Sequence, residues 1–352
     1  MNSFFDLAEV KPIIGILTAK KKNGSMAGNG PLFIKLQTKL RQLGAVSVIF
    51  TLEDVTEHSI SGYTFDCETN RWRKIIAPFP DLIYNRIPFR KTERDKKAQD
   101  FFSKLKEKNI PFFNPCYIDK YELYLLMKKD AVLKKHLPDT IMAKDKQLLS
   151  AFIKKYRTIY LKPAHSSRGK GIYKASLAKD STLKLEGIKH CCTYASIQEF
   201  WQEWENALKQ KSYLAQEEIT SQLYQEKRFD FRILAHPDNH DYNVSGVGIR
   251  QSTMQNITTH IPAGGTLLPY HLIQNEQHDE FIKKAVTLLG KALSQEYGFF
   301  GEFSIDAGLS QTGQYYIYEA NSKPMSFDEV EIENRKIDQL CKLFLQLTSG
   351  SI

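Results

Sequence analysis

Residues 301–324, GEFSIDAGLSQTGQYYIYEANSKP, constrain this chain more than any other stretch. Two short apolar runs, Phe303–Ile305 and Tyr315–Tyr318, flank a polar turn carrying Gly308, Gly313 and Gln314. Runs bounded in this way predict a β-hairpin with a longer loop. Asp306 ends the first run, and Glu319 and Asn321 close the second. Side chains two apart on a strand share a face, so Glu319 and Asn321 point together, and strand pairing brings Asp306 beside them. Three hard oxygen donors placed like this suit Mg²⁺ that is otherwise held by water and nucleotide phosphates. A solvated hairpin would not need its acids inside apolar, aromatic strands.

A chain of 352 residues has material for two or three domains with real cores. Apolar residues at 42% and charged residues at 25% are ordinary for a soluble globular protein. The net charge of +9 comes from lysines scattered among acids, with no long basic block. That balance suits an anionic small molecule such as a nucleotide, and no nucleic-acid partner is expected. The opening MNSFFDLAEVKPIIGILTAKKK carries acids where a signal peptide needs a basic region. No apolar run approaches the roughly eighteen residues of a membrane span, so no membrane partner is expected. Five cysteines, at 67, 116, 191, 192 and 341, lack metal-type spacing. They predict free thiols, no structural zinc and a cytoplasmic protein.

Along the chain, Pro12–Thr18 and 45–52 read as strands, and 32–44 between them as a helix ending on Gly44. Strand, helix, strand at this spacing predicts a βαβ unit with a parallel sheet. The loop NGSMAGNG at 23–30 lacks both the dinucleotide fingerprint and the P-loop Lys-Ser/Thr, so it is not assigned to nucleotide. Residues 61–76 predict a hairpin, 81–88 a strand, and 92–107 one charged helix. The proline-bounded PFFNP at 111–115 marks a domain boundary, giving a first α/β domain over 1–115. Asp119 is an N-cap for a second helical stretch that Leu137-Pro138 stops, and it places Lys120 on the first turn.

The strongest phosphate candidate follows strand 158–162. In AHSSRGKGIYKAS, Ser166, Ser167, Gly169 and Gly171 are small enough for backbone N–H groups to approach phosphate oxygens, and Lys162 supplies a point charge. The loop joins two antiparallel strands, as a flap over a nucleotide does. SYLAQEEI at 212–219 reads as a strand able to present backbone groups to an adenine edge. In KRFDFRILAHP, Arg228, Asp230 and Arg232 alternate with Phe229, Phe231 and Ile233, a charged face opposite an apolar one. A polar loop with Arg250, Asn256, His260 and Gly264-Gly265 follows, then helices over 279–297 and 328–347.

The order of these pieces resembles the ATP-grasp superfamily, and the thirteen-residue step from Asp306 to Glu319 resembles the metal-ligand spacing of D-alanine–D-alanine ligases. More narrowly, PDLIYNRI, DKYELYLLM, YLKPAHSSRGKGI and FDFRIL look like the YheC/YheD family of endospore coat-associated ATP-grasp proteins. The resemblance implies an α/β (α+β) fold, with an N-terminal Rossmann-like pre-ATP-grasp domain and a two-lobed ATP-grasp domain over 116–352. Its lobes would be 116–213 and 214–352. It implies ATP with Mg²⁺ or Mn²⁺ as cofactors. Lys120 and Lys162 would hold the phosphates under the 166–171 lid, with Gln216, Glu217 and Ile219 at adenine and Asp230 near ribose or phosphates. Asp306, Glu319 and Asn321 would bind the metal, Arg232 and Arg250 the transferred phosphoryl group, and Asn256 the substrate end. Such chemistry joins a small-molecule or peptide carboxylate to an amine, less often a thiol, through an acylphosphate. An inactive nucleotide-binding coat protein and a small-molecule kinase are the rival readings. Where D-alanine ligases have an arginine two before the metal aspartate, this chain has Ser304.

Overall fold

The structure, a computed structural model, describes residues 12–165, 170–188, 190–239, 241–252 and 264–350. Three six-stranded sheets follow one another along the chain.

The first contains β1 (Ile13–Thr18), β2 (Val46–Thr51), β3 (Ser59–Asp66), β4 (Arg71–Pro78), β5 (Leu82–Asn85) and β6 (Phe112–Phe113). Its order is β4-β3-β2-β1-β5-β6. β1 is parallel to β2 and β5, so the βαβ reading holds, with α1 (Gly30–Gln42) as the crossover. Asn29 Oδ1 accepts the Leu32 N–H at 3.3 Å to start α1. Gly44, at φ +78°, follows its end in the left-handed backbone that glycine adopts freely. Every residue of β1 is buried, because helices cover both faces of a largely parallel sheet. On one side are α1 and the C-terminal α8 (Val330–Thr348). On the other is α3 (Lys96–Glu107). The charged stretch expected as one helix is two, α2 (Arg90–Arg94) and α3. The break is at Asp95, whose carboxylate caps α3 by accepting the Lys97 N–H.

Asp119 caps α4 (Lys120–Lys129) as expected, accepting the N–H groups of Tyr121 and Glu122 at 2.8 and 3.3 Å. α4 stops well before Leu137, because the Asp130 side chain accepts the N–H groups of Val132 and Leu133 and turns the chain into a short 3₁₀ segment.

The second sheet comprises β7 (Thr140–Met142), β8 (Thr158–Pro163), β9 (Tyr173–Leu177), β10 (Leu183–Gly187), β11 (His190–Tyr194) and β12 (Tyr213–Glu217). β8 and β9 are antiparallel, the geometry expected of the strands flanking the Ser/Gly loop. Two helices, α5 (Lys146–Tyr156) and α6 (Ile197–Gln210), bury Phe152, Ile153, Phe200 and Trp204 against it. β12 pairs with β8 through Leu214–Lys162 and Gln216–Tyr160. A lobe break at 213/214 therefore falls inside a strand of this sheet.

The third sheet runs β16-β15-β14-β17-β18, with β13 (Leu223–Tyr224) on β14. Its other strands are β14 (Lys227–Asp238), β15 (Asp241–Gln251), β16 (Thr266–Leu268), β17 (Phe303–Leu309) and β18 (Tyr315–Asn321). Phe229, Phe231 and Ile233 bury against Phe281, Leu289 and Leu293 of α7 (Glu276–Tyr297). The alternation of β14 leaves Arg228, Asp230 and Arg232 on the other face. β17 and β18 are the expected hairpin.

Buried polar groups fasten the segment after that hairpin to the first sheet. Asn114 Nδ2 donates to the Ser322 carbonyl at 2.5 Å, and Arg86 and Lys336 each donate to the Pro324 carbonyl at 3.1 Å. Lys323 pairs with Glu93, both almost fully buried. Glu302, wholly buried, is neutralised by Arg86 at 2.9 Å and Lys336 at 3.5 Å and accepts the Tyr84 hydroxyl. Each charge has an opposite charge beside it, which is the condition for burying ions at all.

Candidate functional site

Register assembles the site. Arg232 of β14 lies opposite Gly248 of β15 on one side and Asp306 of β17 on the other, and Asp306 lies opposite Glu319 of β18. One step along, Asp230 is opposite Arg250, and in the other direction Ser304 is opposite Asn321. Arg232 Nη1 reaches Asp306 Oδ1 at 3.4 Å. Asn321 Nδ2 donates to Asp306 Oδ2 at 3.2 Å and Glu319 Oε1 at 3.1 Å. Asn321 thus lies within hydrogen-bonding distance of both acids expected to hold metal with it. A β-bulge between Asp306 and Ala307 bends the strand there. Among the described residues no three His, Cys, Asp or Glu side chains gather as metal ligands; the hairpin offers two carboxylates and one amide. All are oxygen-bearing groups, the donor type Mg²⁺ takes.

Lysines enter from two other elements. Lys120, on the first turn of α4, forms an ion pair with Glu319 Oε2. Lys162, in β8, donates to Gln216 Oε1 at 2.5 Å, and Gln216 Nε2 donates to Thr140 Oγ1 at 3.0 Å. The Lys162 ammonium lies 5.5 Å from the ring centre of Tyr160 and 5.7 Å from that of Tyr318. Burial, then the like charge of Lys120, lowers its pKa to about 8.

Around them is an open cleft between the second and third sheets. Lys120, Lys162, Ile219, Arg228, Arg250 and Glu319 are among its walls. A small recess adjoins it, with Leu123, Met127, Leu214 and Ile317 as apolar walls. Burial works against the Arg228 cation, but Asp230 at 3.2 Å and the Tyr160 and Tyr318 hydroxyls outweigh it and its pKa is raised. The Arg250 pKa is lowered, by burial first and then by the like charge of Arg232. Arg250 Nη2 meets Asp328 at 3.2 Å, whereas Nε of Arg250, Arg232 and Arg228 are buried without a hydrogen-bond partner among the described residues. Arg232 also lies over the Phe327 ring, 5.2 Å from its centre.

Of the residues singled out in the sequence, Lys120, Lys162, Gln216, Glu217, Ile219, Asp230, Arg232, Arg250, Asp306 and Glu319 all border the main cleft. Asn321 joins them through its two bonds to the acids. The Glu217 side chain is engaged, its Oε1 accepting the Asp139 N–H at 2.7 Å. Glu218 pairs with Lys174 at 2.5 Å. Gly171, at φ +74°, packs on Pro163 beside β8. Ser166, Ser167, Gly169, Asn256 and His260 lie outside the described residues. His165 lies 2.9 Å from Asp119, the α4 cap. Sequence reasoning placed Arg228 on the charged face without giving it a role, and passed over Tyr160 and Tyr318. Alternation along β8 and β18 was the available signal for both tyrosines.

An N-terminal parallel-core sheet, then two lobes closing on a lysine-lined cleft with an acid–amide hairpin at its base, is the ATP-grasp architecture. D-alanyl-alanine synthetase A from Vibrio cholerae O1 biovar eltor str. N16961 is similar in fold. It has a TM-score of 0.56 at 12% identity, with 97% of this chain and 98% of that one covered. A family model described as YheC/D-like ATP-grasp matches residues 109–348, and the chain belongs to that family. It is 28% identical to the endospore coat-associated protein YheD of Bacillus subtilis (strain 168), covering 90% of this chain and 73% of that protein. It is 21% identical to YheC of the same organism, covering 87% and 88%. Among the described residues no helix is long and apolar enough to cross a membrane.

Proposed function

We propose that this chain is an ATP- and Mg²⁺-dependent carboxylate–amine ligase. One observation carries the reading: a single sheet face aligns Arg232, Asp306 and Glu319 in register, and lysines from α4 and β8 converge on it. Magnesium–ATP supplies the phosphoryl group that activates the acid and neutralises charge between the phosphates. Lys120 and Lys162 bind the phosphates. Asp306, Glu319 and Asn321 would hold Mg²⁺ or Mn²⁺, which would offset the phosphate charge there. Without nucleotide, the Lys120–Glu319 and Arg232–Asp306 pairs keep these charges mutually compensated.

Arg232 and Arg250 stabilise charge on the phosphoryl group and on the acylphosphate. They supply from neighbouring strands the cation that Ser304 cannot. The apolar recess and the backbone of 216–219 accept the adenine, since the Gln216 and Glu217 side chains are already engaged. An amine then attacks the activated carbonyl and phosphate leaves. Similarity to coat-associated relatives supports a place at the endospore coat.

The test is phosphate release by the full chain with ATP and Mg²⁺ against amino acids and short peptides, beside Glu319→Gln. Release requiring an acid and an amine together, absent in the variant, supports the ligase. Binding of ATP with no turnover on any acid–amine pair refutes it in favour of a nucleotide-binding module.

A further inference from the structure

Glu329 stands at the N-cap of α8, beyond the hairpin. Both of its carboxylate oxygens are buried and, among the described residues, neither has a hydrogen-bond partner. Burying a carboxylate without a hydrogen-bond partner is costly unless something completes it. Its neighbour Asp328 has Arg250 at 3.2 Å, and Glu333 accepts the Phe327 N–H at 2.9 Å, so the orphan is Glu329 alone among these acids.

Glycine 248 gives an independent reason to regard this carboxylate as placed. A Cβ added to Gly248 would come within 2.3 Å of Glu329 Oε1. The carboxylate therefore lies flat on the sheet, in space that any other residue at 248 would take. Gly248 is the direct cross-strand neighbour of Arg232. The row thus reads, from one end, Glu329 over Gly248, then Arg232, Asp306 and Glu319. The proposed metal and phosphate sites lie at the Glu319 end. Glu329 is at the opposite end, past the arginine that faces the activated acid, and it also acts on Arg250 electrostatically.

We propose that Glu329 binds the ammonium group of the co-substrate amine. This rests on the ligase reading and adds to it the charge class of the second substrate. A cation brought there completes the orphaned carboxylate and places its nitrogen on the arginine side of the acylphosphate; passing one ammonium proton to Glu329 frees the nitrogen lone pair to attack the carbonyl as phosphate leaves. A neutral nucleophile gains nothing from it.

Hydroxylamine, uncharged at neutral pH, separates the two claims. It traps the activated acid as a hydroxamate without calling on a cation site. The full chain, with ATP, Mg²⁺ and a pool of amino acids and short peptides, is assayed for hydroxamate, then for phosphate release against rising amine concentration. Glu329→Gln, equal in shape, is expected to form hydroxamate within twofold of the unaltered protein while its KM for the amine rises tenfold or more. Glu329→Asp should recover part of that loss. An amine KM changed less than twofold, or hydroxamate and amine reactions lost in parallel, overturns the assignment of Glu329. Absence of hydroxamate from the unaltered protein with every acid instead overturns the ligase reading on which it rests.

Discussion

Lys162 ties nucleotide affinity to pH. In the unliganded cleft, burial and the nearby Lys120 charge hold its pKa at about 8, against 10.5 for a free lysine. Phosphate oxygens favour the charged form, so above pH 8 binding has to return a proton to the ammonium. Affinity therefore falls as pH rises through the unliganded pKa. With that value, the protonated fraction is about 0.9 at pH 7 and about 0.1 at pH 9. Kd for magnesium–ADP should rise about tenfold over that interval, or about 1.4 kcal/mol. Isothermal titration calorimetry across the pH series reads this directly. Lys162→Arg is the control, because a guanidinium stays charged throughout and that variant carries any titration of the nucleotide itself. If Kd for the unaltered protein changes between pH 7 and 9 no more than for the arginine variant, the buried, partly discharged lysine is refuted.

Two further outcomes are expected. Glu319→Gln removes the partner of Lys120 at a half-buried position; unfolding free energy should shift by no more than about 1 kcal/mol, while Mg²⁺ ceases to strengthen nucleotide binding in calorimetry. Gly248→Ala pushes only the end of the Glu329 side chain, so chemical denaturation should register less than about 1 kcal/mol, yet the KM for the amine should rise as in Glu329→Gln.

The β17–β18 hairpin was legible because it is one supersecondary unit whose period-two pattern fixes which side chains share a face. The lysines were legible one at a time, Lys120 from the Asp119 cap and Lys162 from the loop it precedes. What bound them into one site, the pairing of Arg232 with Asp306 and the reach of Lys120 to Glu319, is tertiary. Helix ends at Asp95 and Asp130 were missed because each aspartate's side chain captures backbone N–H groups of the following turn, against a favourable surrounding propensity. α5 does show helical spacing at Leu149, Phe152 and Ile153. β10 and β11 are short, and much of β11 is exposed, so they carry little hydrophobic signal. Glu329 looks like one more acid at a helix start until the glycine beneath it is known.

The ion pair between Lys323 and Glu93 shows how the first domain enters the site. Lys323 follows Asn321 by two residues, and its partner comes from α2, whose Glu93 also meets Asn85 at the end of β5. Glu93 also accepts the Asn85 amide at 2.8 Å and the Tyr117 N–H at 2.7 Å, so it is fixed before Lys323 arrives. Removing the lysine leaves that anion buried among donors too few to replace a full charge. Lys323→Met should therefore cost about 3–5 kcal/mol in urea denaturation. Glu93→Gln added to Lys323→Met should recover much of it, because the uncompensated charge is then gone. Magnesium-dependent nucleotide binding should weaken in the single variant under conditions where it remains folded, since the segment carrying Asn321 loses its anchor. A cost below about 1 kcal/mol for Lys323→Met, or no recovery in the double variant, would mean that packing of the Ser322 and Pro324 carbonyls holds the hairpin without the charge pair.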